Sequence, residues 1–419
     1  MAESDSESQT DLKATQLADP TVNNVPNYKA SELAFILDPQ SNKSLSMDLK
    51  KKSLIELLEI IKDEEMAPYY KYLANKSIIQ FENEFYDELI NKNQVKIKEL
   101  EENLEKVKEN DEGELEQTQC YIKLGEYYTQ IADLNNAKKY LTIAMNMAIS
   151  SGAKIDIMLT ITRLGFFYND QLFVKENLDQ INNLIEKGGG DWERRNRYKT
   201  YLGIHCLSIR DFKQASTLLV DSLSTFTSTE LTSYENLAMY ASIAGLLTLE
   251  RTDLKSKIID SPELLSLLTV ASSLQSLFSL TLSLYTSDYS SLFPYLLETY
   301  DNVLLPCKYL YQHADYFVRE MRRKIYAQLL ESYKTISLSS MANAFGVSEQ
   351  FLDNDLCKFI PNKQLNCIID RVNGIIETNR PDNKNSQYHL LIKQGDGLLT
   401  KLQKYNAAVR LTGINEHTD

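Results

Sequence analysis

The sequence predicts a mainly α-helical protein in which a right-handed solenoid of helical hairpins is followed by a winged helix and a single C-terminal helix. Three observations predict it. No proline occurs in residues 69–261, so helix can follow helix with only turns between them. A Leu-Gly pair recurs in that stretch at intervals of about 40 residues, the mark of a repeated unit. Nearer the C-terminus, two short helical patterns lead into apolar segments that meet at Asn373-Gly374, giving the order helix, turn, helix, hairpin.

Taken in order, the chain begins with Glu3, Asp5 and Glu7 among serines, the composition of a disordered acidic tail without the basic and apolar regions of a secretory signal. Pro20, Pro26 and Pro39 then punctuate an irregular leader, whose apolar patch Leu33, Phe35, Ile36 and Leu37 is suited to docking on a surface. A first helix is expected from about Ser53, where Leu54, Leu57, Leu58 and Ile61 share one face, and Pro68 marks a break. A second helical stretch covers residues 76–108. Its apolar seam, Ile97, Leu100, Leu104 and Val107, spans two heptads, fewer than a coiled coil needs.

The repeated unit follows the tetratricopeptide pattern. Tyr121, Leu124, Gly125 and Tyr128 occupy its first helix, and Ala137, Leu141 and Ala144 its second; small residues let the two helices of a hairpin approach closely. The pattern returns more weakly at Leu164-Gly165 with Tyr168, and at Leu202-Gly203 with Ala215 and Leu219. A spacing longer than 34 residues makes these TPR-like rather than regular repeats. Gly188-Gly189-Gly190 separates one hairpin from the next, and Asp191 is placed to cap the helix that begins at Trp192.

Helical patterns continue over residues 234–333, bounded by Pro262, Pro294 and Pro306. The winged helix then predicts short helices over 339–346 and 348–359, with Ser348 capping the second. Asn373-Gly374 between Val372 and Ile375 predicts a two-residue type I′ turn, in which both central residues take positive φ. The resulting division is a tail and leader (1–48), a helical and repeat arm (49–230), a domain of helices (231–335) and winged helix (336–380), and a last helix with its tail (381–419).

A formal net charge of −13 in 419 residues repels a phosphate backbone at long range. Five cysteines without a C-x-x-C pair indicate neither a disulfide framework nor a zinc site, and fit a reducing compartment. The four histidines lie far apart, and His205 beside Cys206 reads as structural. Walker, G-x-G-x-x-G, G-x-S-x-G and H-E-x-x-H motifs are absent, so no catalytic, cofactor-binding or metal-binding residues are assigned and no cofactor is expected. Residues 264–285 are uncharged over the length of a bilayer span, but nine serine, threonine and glutamine residues interrupt them, which favours buried helices over a membrane role.

The usual winged-helix task is reading DNA. Here the second helix carries Glu349, Asp353 and Asp355 against Lys358, the wrong sign for phosphate, while Asp370, Arg371 and Glu377 leave the hairpin about neutral. Arg319, Arg322, Arg323 and Lys324 are the one basic cluster on which a nucleic-acid reading could rest. A sheet edge can instead accept a neighbour's strand, so protein association is the better expectation. That assigns an interaction role to Ile369, Arg371, Val372, Asn373, Gly374, Ile375 and Ile376 of the hairpin. In the final helix Leu391, Leu398, Leu402, Tyr405 and Val409 form, with Gly395, a seam of alternating four and three spacings suited to another helix, and the residues alone allow it equally to pack on its own winged domain.

The order of divergent hairpins, winged helix and C-terminal helix resembles the PCI family, found in the proteasome regulatory particle, the COP-nine signalosome and translation initiation factor three. Leu249-Glu250-Arg251-Thr252-Asp253-Leu254-Lys255, Asp260-Ser261-Pro262-Glu263 and Ile369-Asp370-Arg371-Val372-Asn373-Gly374-Ile375-Ile376-Glu377-Thr378 are similar to its proteasome-lid branch, and the signalosome branch shares much of the last run. The resemblance covers residues 53–409. It implies a non-catalytic scaffold in ubiquitin-dependent degradation, cytoplasmic and nuclear, within a hetero-oligomer. Its implied partners are other PCI and lid subunits, met side by side through winged domains and through a helix bundle, with the ATPase ring and core particle as further neighbours. Deubiquitination in such a lid belongs to a different, zinc-dependent subunit whose histidine motif this sequence lacks.

Overall fold

The structure is a computed structural model that describes residues 23–38, 47–109, 113–268, 271–379 and 383–415. The acidic tail, with residues 1–22, lies outside the described residues, as does the end after 415. Two compact units are present, the first ending at Arg322 and the second beginning at Arg323.

The first unit opens with α1 (Tyr28–Leu37), α2 (Met47–Asp63), α3 (Ala67–Asn75) and α4 (Asn83–Glu109). The leader is therefore not irregular: residues 28–37 are helical, with the Asn27 side chain accepting from the Lys29 N–H at the start. Its alanines explain this, because Ala30 and Ala34 favour helix and let it lie close to its neighbours, where both are buried. The break expected at Pro68 lies between α2 and α3, and Pro68 opens α3, since proline costs nothing in a first turn whose N–H groups lack helical partners. The long helix starts at Asn83 instead of Lys76.

Hairpins follow: α5 (Glu114–Gln130) with α6 (Leu134–Met147), α7 (Ser151–Tyr168) with α8 (Gln171–Glu186), and α9 (Trp192–Ser208) with α10 (Phe212–Ser222), and then α11 (Tyr234–Thr248). The second helix of each hairpin is capped by an aspartate, Asp133, Asp170 or Asp211, whose carboxylate accepts from backbone N–H groups of the first turn. The expected cap at Asp191 differs, because no side-chain bond to the first turn forms and its carboxylate pairs with Arg194 at 2.8 Å. Close approach depends on glycine. A Cβ on Gly125 would come within 2.5 Å of Leu141, on Gly165 within 2.8 Å of Val174, and on Gly203 within 2.6 Å of Leu219. Gly245 repeats the arrangement against Ile258 at 2.4 Å, a fourth unit that the motif search missed because no regular second helix follows it.

After α11 come short turns, α12 (Ser272–Thr286), α13 (Tyr289–Thr299) and α14 (Ala314–Ser332), within which the two units divide. The uncharged stretch 264–285 is not one helix but belongs to Pro262–Leu267 and α12. Among the described residues no helix is long and apolar enough to cross a membrane.

The second unit contains β1 (Thr335–Ser337), α15 (Leu338–Phe345), α16 (Glu349–Phe359), β2 (Cys367–Asp370), β3 (Ile375–Thr378) and α17 (Asn383–Asn415). Ser337 and Ser348 cap the two short helices, and Gly346 ends α15 in the left-handed region at φ 65°. The sheet is antiparallel with order β1-β3-β2, so the hairpin has gained a third strand. Tyr326 anchors the core, its ring edge-on to Phe345 at 5.3 Å and its hydroxyl donating to Asp355 at 3.2 Å.

Candidate interaction surfaces

Each face of the sheet follows from strand alternation. Ile376 of the central strand pairs with Ile336 on one side and Ile369 on the other, and this row faces the core with Ile376 fully buried. Ile376 is thus a core residue, and its side chain is not part of a surface. Ile369 and Ile375 are half-buried. On the opposite face Ile368, absent from the expected set, is 59% exposed beside Glu377. Alternation from Ile376 would have found it. Among the described residues, the outward edges of β1 and β2 pair with no strand.

The turn differs from the sequence expectation. Asp370 pairs with Ile375, leaving a four-residue loop, 371–374, in place of a two-residue type I′ turn. Among its residues only Gly374 takes positive φ, 64°, while Asn373 does not. Asp370 shapes the loop: its carboxylate accepts from the Val372 N–H at 2.9 Å, from the Asn373 N–H at 3.4 Å and from Asn373 Nδ2 at 2.8 Å. Three such bonds outweigh an intrinsic turn preference. They hold the Asp370 carboxyl below the usual carboxylate range, the Asn373 amide contributing most. Val372 projects at the tip, 94% exposed. Arg371 bends back to α16, donating to Asp353 at 2.9 Å and to the exposed Cys357 at 3.2 Å.

Those contacts revise the charge on α16. Asp355 is buried under Tyr326, and Asp353 is paired with Arg371, so the exposed surface is closer to neutral than to acidic. It still offers no basic stripe. Nor does the cluster on α14: Arg319 lies over the Tyr316 ring at 5.1 Å and pairs with Glu320, while burial lowers the Lys324 ammonium to about 8.

In α17 every described side chain of residues 384–410 is exposed. Leu391, Leu398, Leu402, Tyr405 and Val409 share a face, as expected, and Tyr388 extends it one step towards the N-terminus. Ile392 and Leu399 widen the stripe. At 33 residues the helix is about 50 Å long.

Reactive groups elsewhere are tied into the fold. His205 Nδ1 bonds Gln171 at 3.0 Å, whereas the neighbouring Cys206 thiol donates to Gln214, so the two do not form a pair. Burial pushes Cys206 up to about 11. Among the described residues no cluster of His, Cys, Asp or Glu could hold a metal ion.

Comparison with known proteins decides the family. Residues 82–257 match the profile of 26S proteasome subunit RPN7, residues 297–380 the PCI domain, and residues 387–409 the C-terminal helix of 26S proteasome regulatory subunit RPN7/PSMD6. The Saccharomyces cerevisiae 26S proteasome regulatory subunit RPN7 is 66% identical over 418 residues, which cover 95% of this chain and 96% of the relative. The chain belongs to the RPN7 family of 26S proteasome regulatory subunits. The Schizosaccharomyces pombe RPN7 is 45% identical over 362 residues, 85% of this chain and 91% of that one. By contrast, COP9 signalosome complex subunit 1 of Arabidopsis thaliana is 27% identical over 167 residues, 40% of this chain and 37% of its own. Membership in RPN7 makes this a non-catalytic regulatory subunit and implies other proteasome subunits as its partners. The third profile, 387–409, coincides with the exposed seam of α17.

Proposed function

We propose that this chain is an architectural subunit of the regulatory-particle lid, cytoplasmic and nuclear, that joins neighbouring PCI-bearing subunits by two contacts. One is the rim of the winged-helix sheet: the free edge of β2, which carries Ile369, and the loop of Arg371, Val372, Asn373 and Gly374 with Ile375 at its end. The other is α17, whose seam of Leu391, Leu398, Leu402, Tyr405 and Val409 enters a bundle of helices. The ATPase ring and core particle are further neighbours in the same assembly.

The observation that carries this reading is the exposure of α17. A helix that keeps a heptad stripe of leucines in water has an apolar face suited to another helix. The absence of a basic stripe on the described part of α16 supports a protein partner over nucleic acid. Purifying the tagged full-length chain from its source cells provides the test. Regulatory-particle subunits with PCI domains should come with it, and a preparation free of proteasome subunits would sink the proposal.

A further inference from the structure

Helix α7 ends at Tyr168, where the last carbonyls of any helix lack partners further along it. The Asn169 and Asp170 N–H groups cap the Phe166 and Gly165 carbonyls locally, and residues distant in sequence add further donors along the last two turns. The Tyr28 hydroxyl donates to the Arg163 carbonyl at 2.5 Å and the Ser31 hydroxyl to the Phe167 carbonyl at 2.8 Å. Lys308 Nζ reaches the same place from more than 140 positions along the chain. It donates to the Phe166 carbonyl at 2.9 Å, the Phe167 carbonyl at 2.8 Å and Ser31 Oγ at 2.5 Å, which accounts for all three ammonium protons. Burial lowers the Lys308 ammonium to about 7, and the negative end of the helix dipole at that position acts in the opposite direction, towards the charged form.

Other contacts of residues 23–38 extend this junction. Arg163 Nη1 donates to the Asn23 carbonyl at 2.7 Å, and Asn236 of α11 donates to Glu32 at 3.3 Å. Phe35 meets Tyr311 edge-on, with centroids 5.7 Å apart. Residues 23–38 lie outside the three family profiles, yet they bind residues belonging to two of them, 82–257 and 297–380.

We propose that α1 is a strap that ties the C-terminal end of α7 to the turn 307–311, with Lys308 as its latch. The hairpins keep their own glycine contacts whether the strap is closed or open. Opening therefore frees the end of α7 and the turn 307–311 without melting the hairpins.

Hydrogen exchange on the full-length chain tests this. With Lys308→Met, amides of residues 28–37 and 163–168 should exchange at least about tenfold faster, while residues 192–222 and 335–378 keep wild-type rates. Ser31→Ala removes only one hydroxyl and should raise exchange by a smaller factor in the same two segments. Should the lysine variant fail to fold, the serine variant decides. Wild-type exchange of both segments in Ser31→Ala and Lys308→Met would overturn the strap, and so would a rise in Ser31→Ala spread evenly over residues 23–322.

Discussion

Glycine plays opposite parts in two helical regions of this chain. In the arm, Gly125, Gly165, Gly203 and Gly245 each sit where a Cβ would strike a side chain of the facing segment. In α17, Gly395 and Gly397 have no atom within 4 Å of such a Cβ. The first set is required by contacts within the chain. The second weakens a helix by roughly 1 kcal/mol per residue relative to alanine and gains no packing contact among the described residues, which fits a helix completed by another protein.

Substitutions break or sharpen that contrast. Replacing Gly125 and Gly203 together by alanine should destabilise the arm by about 2–6 kcal/mol, since each overpacks a closed hairpin and the sites are independent. Denaturant titration of the full chain measures this, and an unchanged midpoint would refute the glycine seam. In the winged helix, Ile376→Ala should cost about 2–5 kcal/mol. Its outward neighbour Ile368→Ala should stay within about 0.5 kcal/mol in the isolated chain, so any large effect of the second would appear only on assembly. Gly395→Ala with Gly397→Ala should raise the helix content of α17 and stabilise it by roughly 1 kcal/mol per site, leaving the arm's melting unchanged. A lowered melting temperature would mean that those glycines serve the chain itself.

The smallest effect concerns acid. Because the Asp370 carboxyl is held below its ordinary range, its contribution to the loop is complete above that range and disappears as pH falls through the depressed value. Loop amides 371–374 should therefore lose protection in moderately strong acid in the wild type. Asp370→Ala should show the same weak protection at every pH.

Most of the architecture was legible because it rests on local signals. Proline-free helices, Leu-Gly pairs and the serine cap at Ser348 need no tertiary information beyond the packing of a single hairpin. What escaped depends on distance. The leader read as irregular because its proline punctuation outweighed Ala30 and Ala34, whose burial depends on packing against other elements, among them Leu57 and Ile61 of α2 and Phe167 of α7. The third strand escaped because Thr335–Ser337 is too short to show alternation and forms by pairing with Ile375, Ile376 and Glu377. The turn type was missed because Asp370, outside the Asn-Gly pair, controls the loop. The charge of α16 was misjudged for a similar reason, since counting Asp355 in sequence cannot reveal that Tyr326 covers it. The seam of α17 was visible through its spacing alone, and only its full width, with Ile392 and Leu399, needed the structure.

The central claim is that α17 belongs to an interface and not to the chain's own core. Its most direct test is Leu398→Asp with Leu402→Asp, followed by two readings: incorporation into the regulatory particle, and thermal unfolding of the purified chain. The account predicts loss of incorporation with an unchanged melting transition for the arm. Normal incorporation, or an isolated chain that unfolds, would contradict it.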